Sequence, residues 1–529
     1  MRKLRTILAL VLAAVLLNGC SLLPGLLGGM TITRYQDMAY TRPDLGEMER
    51  ALEAAIAASQ TEPLEDVLDA IYRFYDEYDW FHTNYALADV RMCHDLTDIY
   101  WEEEYRYCME RTAEADAMLE ELYYALADSP IREELEGEDY FGPGFFDAYQ
   151  GESVYDAEFL ALLEREAELT SRYYDLNEAA LDYEYASEEY YRSCGEDMAQ
   201  VLVDLIALRQ EIARSCGYGS YVAFANDFYY YRDYSVAQTT AYLEEIREHL
   251  VPLYLTMDRE GILGLGDEIS TEGQTFDYVE TAARAMGGIT WEAFSVMKSG
   301  GLYDISYGAN KYNASFEIYL PMYYLPFIFM NPGLSRYDCL TLSHEFGHFC
   351  NDYASYGSYA GVDVMEIFSQ GMEYLMLCYG EDTGDLIRMK MGDSLCLFVE
   401  QAAFASFEQQ MYSLAGADLT VENLCDLYEE TVLEYGLDVV GYDRREFVAI
   451  THLYTNPMYI QSYLFSNDAA MQLYALEQET PGAGLKLYEK NLASRECWFL
   501  EVVESMGLES PFDRGRMEDL AETFREVLG

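Results

Sequence analysis

The clearest chemical pattern in this sequence is H-E-x-x-H, which runs from His344 to His348. Residues four apart lie on the same face of an α-helix, so both imidazoles can bind one metal ion. Glu345, between them, then faces the open coordination position, where a water molecule would sit. Zinc bound in this way turns water into a nucleophile near neutral pH. The pattern therefore predicts zinc peptidase chemistry, with Glu345 as the general base.

Histidine is rare in this chain, which bears on whether the pattern is accidental. Only six of the 529 residues are histidines, so H-E-x-x-H is expected by chance in roughly one such chain in a hundred. The alternative is an ordinary amphipathic helix that carries two hydrogen-bonded histidines.

A catalytic zinc needs a third protein ligand beside the two histidines, with water as the fourth. After His348, a loop rich in tyrosine and glycine leads into a second predicted helix. The polar side of that helix carries Glu366, Gln370 and Glu373, and packing of the two helices would bring Glu366 to the metal. The same spacing also fits Asp363 as a helix N-cap with Glu366 as its capping partner, or an ordinary solvated face. Spacing alone leaves these readings open.

The elements that position these residues are mostly helices, so the predicted fold class is mainly α. Apolar residues recur at spacings of three or four in Asp44–Ala127 and again in Asp156–Tyr191. The one β region contains Ser315–Leu320, which alternates polar and apolar residues, and the short apolar run Pro326–Met330. The helix with the metal motif follows, and the chain from Asp363 onward is again mainly helical.

The N-terminus resembles an export signal. Three basic residues precede a short apolar stretch, and Leu17-Asn18-Gly19-Cys20 then resembles the lipobox of bacterial lipoproteins. The apolar stretch is shorter than the ~20 residues of a membrane-spanning helix. The resemblance implies cleavage before Cys20 and a lipid on its sulfur, which would hold a soluble body at the outer face of a bacterial membrane. A plain secretory signal with a coincidental cysteine is the alternative.

The length of the chain predicts more than one subdomain, because a single core rarely exceeds 300 residues. Boundaries in composition are weak, and the softest lies near Cys194-Gly195. We predict a lipoprotein signal peptide at 1–19, a tether at 20–40, a helical N-terminal region at 41–194 and a metallopeptidase catalytic region at 195–529.

The composition limits the partners. The chain has 33 lysine and arginine residues against 95 aspartate and glutamate residues. Such an acidic surface repels nucleic acid and anionic lipid, although a general surface bias explains the charge equally well.

With 51% hydrophobic residues, the chain can build a large core. Fifty tyrosines suit half-buried positions such as the walls of a polar cleft. The cysteines form no C-x-x-C pair, so we expect buried free thiols rather than a cysteine metal site.

The two helix motifs together resemble a known family. H-E-F-G-H at His344–His348 and the stretch D-V-M-E-I-F-S-Q around Glu366 resemble the thimet oligopeptidase and oligoendopeptidase F family of zinc peptidases. That family has H-E-F/L-G-H on one helix and a ligand glutamate in a D-F-V-E-x-P-S-Q-like stretch on the next. Here Phe368 replaces the proline and Met365 replaces a valine, and both lie beside the ligand. The resemblance implies Zn²⁺ bound by His344, His348 and Glu366.

A second match lies near the C-terminus. Thr451–Tyr463 is similar to the family's H-x-Y…Y…Y segment, which in the family lines the cleft and donates hydrogen bonds to the substrate carbonyl and the tetrahedral oxyanion. The resemblance implies His452 and Tyr463 as the oxyanion donors, and Tyr454 and Tyr459 as substrate-binding residues.

The resemblance extends from about Leu205 to Phe465 and implies a fold as well as a site. It implies a large, two-lobed helical peptidase with a deep channel, the zinc on the channel floor and a small β-sheet beside the H-E-x-x-H helix. Only short, unstructured peptides enter such a channel. The implied function is a zinc-dependent endopeptidase that hydrolyses short peptides.

Two hypotheses concern residues around this site. The substrate lies extended along the edge of the Pro326–Met330 strand and pairs with its main chain, unless that strand is internal scaffold. Asp363 and Glu373 are candidate partners of the metal ligands, unless they are simply solvated.

Three rival functions fit the same residues. A helical zinc carboxypeptidase would need a free C-terminus on its substrate. A surface lipoprotein that binds peptides without cutting them would keep the cleft but not the chemistry. A purely structural lipoprotein would require both motif matches to be accidental.

Overall fold

The computed structural model describes most of the chain. Its described residues are 32–137, 140–150, 155–180, 183, 186–263, 268–357, 360–381, 383–437, 444–493 and 498–529. The predicted signal peptide, the lipidation site Cys20 and the first part of the tether lie outside them. Within these ranges, none of the helices is long and apolar enough to cross a membrane.

The described residues in the first half of the chain are mainly helical. Its helices are α1 (Leu45–Thr61), α2 (Leu64–His94), α3 (Ile99–Met109), α4 (Thr112–Ala127), α5 (Arg132–Leu135), α6 (Ala157–Ala179), α7 (Glu188–Ser215), α8 (Tyr221–Phe228), α9 (Val236–His249), α10 (Val251–Arg259), α11 (Glu272–Met286) and α12 (Gly288–Gly300). Local sequence sets several of their starts. At α11, for example, Thr271 and Gln274 form a capping box that satisfies main-chain N–H groups at the helix start.

The second half begins with a small sheet and continues in helices. The strands are β1 (Tyr303–Asp304), β2 (Ser315–Leu320) and β3 (Leu325–Met330). The helices are α13 (Asp338–Ser355), α14 (Val362–Tyr379), α15 (Gly384–Met411), α16 (Val421–Glu434), α17 (His452–Thr455), α18 (Ser462–Glu479), α19 (Ala483–Asn491), α20 (Phe499–Met506) and α21 (Arg516–Leu528). Short 3₁₀ turns lie at Tyr35–Asp37, Phe145–Ala148, Pro321–Tyr323, Gly416–Asp418 and Glu446–Ala449.

The strand order is β1-β3-β2, with β3 in the centre. β1 runs parallel to β3, and β2 pairs antiparallel to it from Ser315 opposite Met330 to Leu320 opposite Leu325. All six residues of β3 are buried, which is typical of a strand covered on both faces. The hypothesis that substrate pairs with the edge of Pro326–Met330 is therefore wrong: the strand is buried, β2 pairs along one of its edges, and β1 pairs with Ile328 and Phe329 on the other. The alternative, an internal scaffold strand, describes the structure.

Two hydrophobic clusters hold the helices together. The smaller one joins α1, the first half of α2, α4 and the 3₁₀ turn after α5. The larger one takes in the end of α2 and most elements from α6 to α21, including all of β3 except its proline. The predicted fold class is confirmed: the protein is mainly α, and its one small sheet packs beside the helix that carries H-E-x-x-H.

Candidate metal centre

The close packing of α13 against α14 builds the metal centre. Gly347, within H-E-x-x-H, makes this approach possible. A Cβ atom at Gly347 would lie 2.5 Å from the carbonyl oxygen of Phe368 and 2.6 Å from the Cα atom of Ser369. Any larger residue would hold the two helices apart and move Glu366 away from the histidines.

The three predicted ligands converge as the family resemblance implied. His344 Nε2 lies 3.4 Å from Glu366 Oε2, and His348 Nε2 lies 3.7 Å from Glu366 Oε1. One donor atom from each residue lies within 4.8 Å of the other two. Donors about 2.1 Å from a tetrahedral zinc ion are about 3.4 Å apart, so two nitrogens and one carboxylate at these distances fit zinc. The capping alternative for Asp363 and Glu366 is wrong, because α14 begins after Gly361 without a side-chain cap.

Two hydroxyl groups fix the Glu366 carboxylate. Tyr459 OH donates to Glu366 Oε1 at 2.6 Å, and Ser369 Oγ donates to Glu366 Oε2 at 2.8 Å. Glu366 itself is 1% exposed, so its orientation depends on these bonds rather than on water. Hydroxyl contacts of this kind orient a ligand and are part of a working metal site.

His344 is oriented through its other ring nitrogen. His344 Nδ1 lies 2.9 Å from Glu373 Oε1, and Glu373 Oε2 lies 2.8 Å from the ammonium of Lys390 on α15. Lys390 and Glu373 are both buried. The hypothesis that Glu373 contacts a ligand therefore matches the geometry. The role of Lys390 was not predicted from the sequence. The one signal for it was a lysine in a largely apolar stretch before Leu395, because a buried lysine needs a charged partner.

The electrostatics of the site favour a bound cation. Burial disfavours a charged imidazole, yet the hydrogen bond that His344 donates to Glu373 and the charges of Glu366, Glu373 and Glu345 raise the pKa of His344 to about 9. Burial lowers the pKa of His348 to about 4. Three carboxylates around two imidazoles leave an excess of negative charge, which a divalent cation neutralises.

Glu345 lies in the wall of the cleft next to the ligands. It is 6% exposed. Burial, together with the carboxylates of Glu366 and Glu373, raises the pKa of Glu345 to about 7 despite the attraction of His344. A carboxylate with a pKa near the working pH suits a residue that accepts a proton and later returns it.

His452 and Tyr463 meet in the same cleft. Tyr463 OH lies 3.3 Å from His452 Nε2, and both residues line the cleft. Burial lowers the pKa of His452, which keeps its ring neutral. Gln370 Nε2 donates to the Tyr463 carbonyl oxygen at 3.2 Å, tying α18 to α14.

Tyr454 and Tyr459, the other two tyrosines of the Thr451–Tyr463 segment, do not lie where their predicted substrate-binding role requires. Tyr454 is fully buried; its ring stacks on Tyr173 with centroids 3.8 Å apart, and its hydroxyl donates to the Met198 carbonyl oxygen. Residues two apart on a helix face different ways, so α17 presents His452 to the cleft and turns Tyr454 into the core. Tyr459 contacts the ligand Glu366 instead of lining the cleft.

Asp363 does not contact a metal ligand in the structure. It pairs with Arg232 at 3.3 Å and accepts a hydrogen bond from Tyr234 OH at 2.6 Å. Arg232 also donates to the Met458 carbonyl oxygen and to Ser462 Oγ. The buried pair therefore holds α14 against the chain that leads into α18.

A cleft of about 1200 Å³ contains the centre. One wall comes from α2, α3 and α6, and the other comes from α13, α14, α15 and the chain around His452. Main-chain segments next to β2, at 313–316, also reach the cleft. The metal centre is thus open to a cleft that helices from both halves of the chain line.

Comparisons with known families agree with this architecture. A model described as the peptidase M3 N-terminal domain matches residues 35–152, and one described as peptidase family M3 matches residues 296–495. The two segments together span more than half of the chain. No protein of curated function matches the sequence.

Solved structures of similar fold cover nearly the whole chain. A structure described as an oligoendopeptidase F is 20% identical, with a TM-score of 0.82 over 94% of this chain and 98% of that one. PZ peptidase A with an inhibitor is 19% identical, with a TM-score of 0.82 over 94% and 99%. An oligoendopeptidase F from Bacillus anthracis is 20% identical, with a TM-score of 0.78 over 94% and 98%. At these identities the likeness establishes the fold.

Proposed function

We propose, from the premise that this chain belongs to peptidase family M3, that it is a zinc-dependent endopeptidase that hydrolyses short peptides. One observation carries the proposal. Two imidazoles and one carboxylate, from His344, His348 and Glu366, converge at the wall of a cleft that His344 and Glu345 line.

Zinc is the metal that the donor set fits best. Two nitrogens and one carboxylate oxygen are a common protein donor set of catalytic zinc, with one position left for water. When bound, zinc polarises that water and the carbonyl group of the scissile peptide bond. His344 and His348 would hold it from α13 and Glu366 from α14.

Glu345 moves the proton in this reaction. Its carboxylate accepts a proton from the water as the water attacks the peptide carbonyl carbon. It then delivers that proton to the nitrogen of the leaving amine. Its position beside His344, buried in the wall of the cleft, suits both halves of this task.

Tyr463 and His452 stabilise the oxyanion that develops on the carbonyl oxygen. Burial and the nearby carboxylates raise the pKa of Tyr463 well above its ordinary value, so its phenol keeps its proton and can donate. His452 Nε2 lies 3.3 Å from the Tyr463 hydroxyl, and the neutral tautomer with its proton on Nε2 can donate beside it. Donors held in place before the reaction cost no reorganisation when the charge appears.

The size of the cleft limits the substrate to short peptides. A folded domain of 100 residues has a radius of gyration of about 13 Å, which is far too large for a space of about 1200 Å³. An extended peptide, by contrast, can lie between the two groups of helices and reach the metal centre.

The proposed location is the outer face of a bacterial membrane. Its support is the lipobox-like sequence that ends in Cys20. The test is incorporation of labelled palmitate in a bacterial host. We expect the parent chain to carry the label in the membrane fraction and Cys20→Ser to lose it; label retained by Cys20→Ser would contradict the anchor.

The direct test of the reaction uses one peptide blocked at both ends. We expect purified protein with one zinc per chain to cut an acetylated, amidated peptide of about ten residues at an internal bond, as read by mass spectrometry. Cleavage of only the unblocked peptide, one residue at a time from its C-terminus, would indicate a carboxypeptidase. Binding without cleavage of either peptide would indicate the non-catalytic lipoprotein.

A further inference from the structure

We propose that the cleft contains a subsite for a basic side chain of the substrate, formed by the Asp89 carboxylate and the rings of Tyr105 and Tyr174. The inference rests on the proposed peptide hydrolysis and names its substrate class: peptides that carry lysine or arginine at the position that reaches Asp89. Asp89 lies on α2 and lines the same cleft as His344 and Glu345.

Asp89 is a partly buried carboxylate without a cationic partner. In the described part of the chain, its hydrogen-bond partner is the Cys93 thiol, at 3.4 Å, and no arginine, lysine or histidine forms an ion pair with it. Burial raises the pKa of Asp89 to about 6. A carboxylate in such surroundings is costly to keep charged unless a cation approaches it.

A chain of aromatic rings lies next to this carboxylate. Tyr85 precedes Asp89 by one helical turn on the same face of α2, and its ring packs against Tyr105 on α3 with centroids 5.6 Å apart. Tyr105 in turn contacts Tyr174 on α6, with centroids 6.3 Å apart and ring planes nearly perpendicular, and both rings line the cleft with Asp89. Burial, with a smaller contribution from the charge of Asp89, raises the pKa values of all three phenols, so the rings stay neutral.

The protein's own cations do not compete for Asp89. The basic side chains on the cleft wall are each paired with acidic ones: Arg106 with Glu102 and Asp175 at 2.6 Å, Lys311 with Asp304 at 2.9 Å, and Lys390 with Glu373 at 2.8 Å. Lys311 also donates to two main-chain carbonyl oxygens. Among the described residues, therefore, none supplies the cation that would complete the Asp89 pocket, and a ligand can.

A lysine or arginine side chain supplies what this pocket lacks. Its charged end pairs with the carboxylate, and ring faces within about 6 Å attract the cation. Its methylene groups can lie along the apolar parts of the rings. A neutral side chain of the same length gains only the apolar contact, so the pocket discriminates by charge.

The test compares pairs of peptides that differ at one position, lysine in one and norleucine in the other. Binding is measured by fluorescence anisotropy on Glu345→Gln, which keeps the cleft and removes cleavage. We expect lysine at one position to lower Kd at least fivefold. Asp89→Asn, added to this background, should abolish the difference and leave the norleucine peptide within twofold.

The matched control is Glu103→Gln, which removes one negative charge from an exposed position of α3 outside the cleft. It should leave the lysine preference intact. A preference that is absent at every position would overturn the proposal. So would an Asp89→Asn variant that weakens both peptides equally, or a Glu103→Gln variant that loses the preference as well.

A second variant and a second readout keep the result clear. If thermal melting shows that Asp89→Asn does not fold, Tyr174→Leu carries the test, because it removes one ring face and should reduce the lysine preference.

Because binding is measured without cleavage, a lysine preference in a parent that cuts no peptide would refute the proposed hydrolysis and keep the subsite. Cleavage of both peptides at equal kcat/KM, together with equal binding, would refute the subsite and keep the hydrolysis.

Discussion

The Glu366 carboxylate shows how single contacts determine the metal centre. Both of its oxygens face imidazole nitrogens, and both also accept hydroxyl hydrogen bonds, from Tyr459 and Ser369. The family resemblance singled out Glu366 from the other polar residues of its helix, which spacing alone could not do. It also placed Tyr459 near the site, but as a substrate contact. Which atom a tyrosine hydroxyl reaches depends on how the segment after α17 turns, and no pattern in the sequence encodes that.

Tyr459→Phe tests the hydroxyl contact to the ligand. Loss of this bond frees the Glu366 carboxylate to rotate, so we expect zinc affinity to fall about 10- to 100-fold. Zinc affinity is measured by competition with a chelator. Tyr454→Phe is the matched control: it should cost about 1 kcal/mol of stability through its lost core hydrogen bond and leave zinc affinity unchanged. Equal zinc affinities for the parent and Tyr459→Phe would refute the positioning role.

Three neighbouring helices are coupled through the centre. α13 supplies both histidines, α14 supplies Glu366 and Glu373, and α15 supplies Lys390. The apolar periodicity predicted helices in these regions, and H-E-x-x-H predicted which face of α13 carries the site. The charge chain through Lys390 could not be predicted, because it joins residues whose proximity depends on tertiary packing. The substrate-pairing role suggested for β3 failed for a related reason. The continuous apolar run of β3 is compatible with a central strand, but the run itself does not show which other segments pair with it.

Gly347→Ala tests the close approach of α13 and α14. Alanine favours a helix by up to about 1 kcal/mol over glycine, yet its methyl group would overlap the main chain at Phe368. Overpacking of this kind costs about 1–3 kcal/mol, so we expect a lower melting temperature and weaker zinc binding. Gly384→Ala, at the start of α15, where nothing lies within 4 Å of the new methyl group, should be neutral or stabilising. A Gly347→Ala protein with parental stability and zinc affinity would contradict the packing argument.

Lys390→Met tests the buried ion pair. Removal of the lysine leaves the buried Glu373 carboxylate without its cation, which typically costs about 3–5 kcal/mol. We expect a free energy of unfolding that is lower by this amount in urea titrations. The double variant Glu373→Gln with Lys390→Met removes both charges and should recover part of the loss. If the double variant is less stable than Lys390→Met alone, the pair does not act as described.

The folded molecule has an open cleft that is lined by two groups of helices, and the metal centre lies in one wall of it. The sequence sufficed for the mainly α fold class and for the family, and both predictions are confirmed. It did not define the wall that faces the centre. That wall comes from α2, α3 and α6, which lie far from the motifs in sequence and meet them only after folding. The Asp89 pocket belongs to this wall, which is why the motifs gave no indication of it.

The proposed hydrolysis depends most on Glu345 acting as the proton carrier beside a metal bound by His344, His348 and Glu366. The direct measurement combines metal analysis with a peptide assay on Glu345→Gln. We predict one zinc per chain, as in the parent, and a rate of peptide hydrolysis about 10²- to 10⁴-fold lower. Hydrolysis at the parental rate by Glu345→Gln, or a parent protein that cuts peptides without a stoichiometric transition metal, would contradict the account.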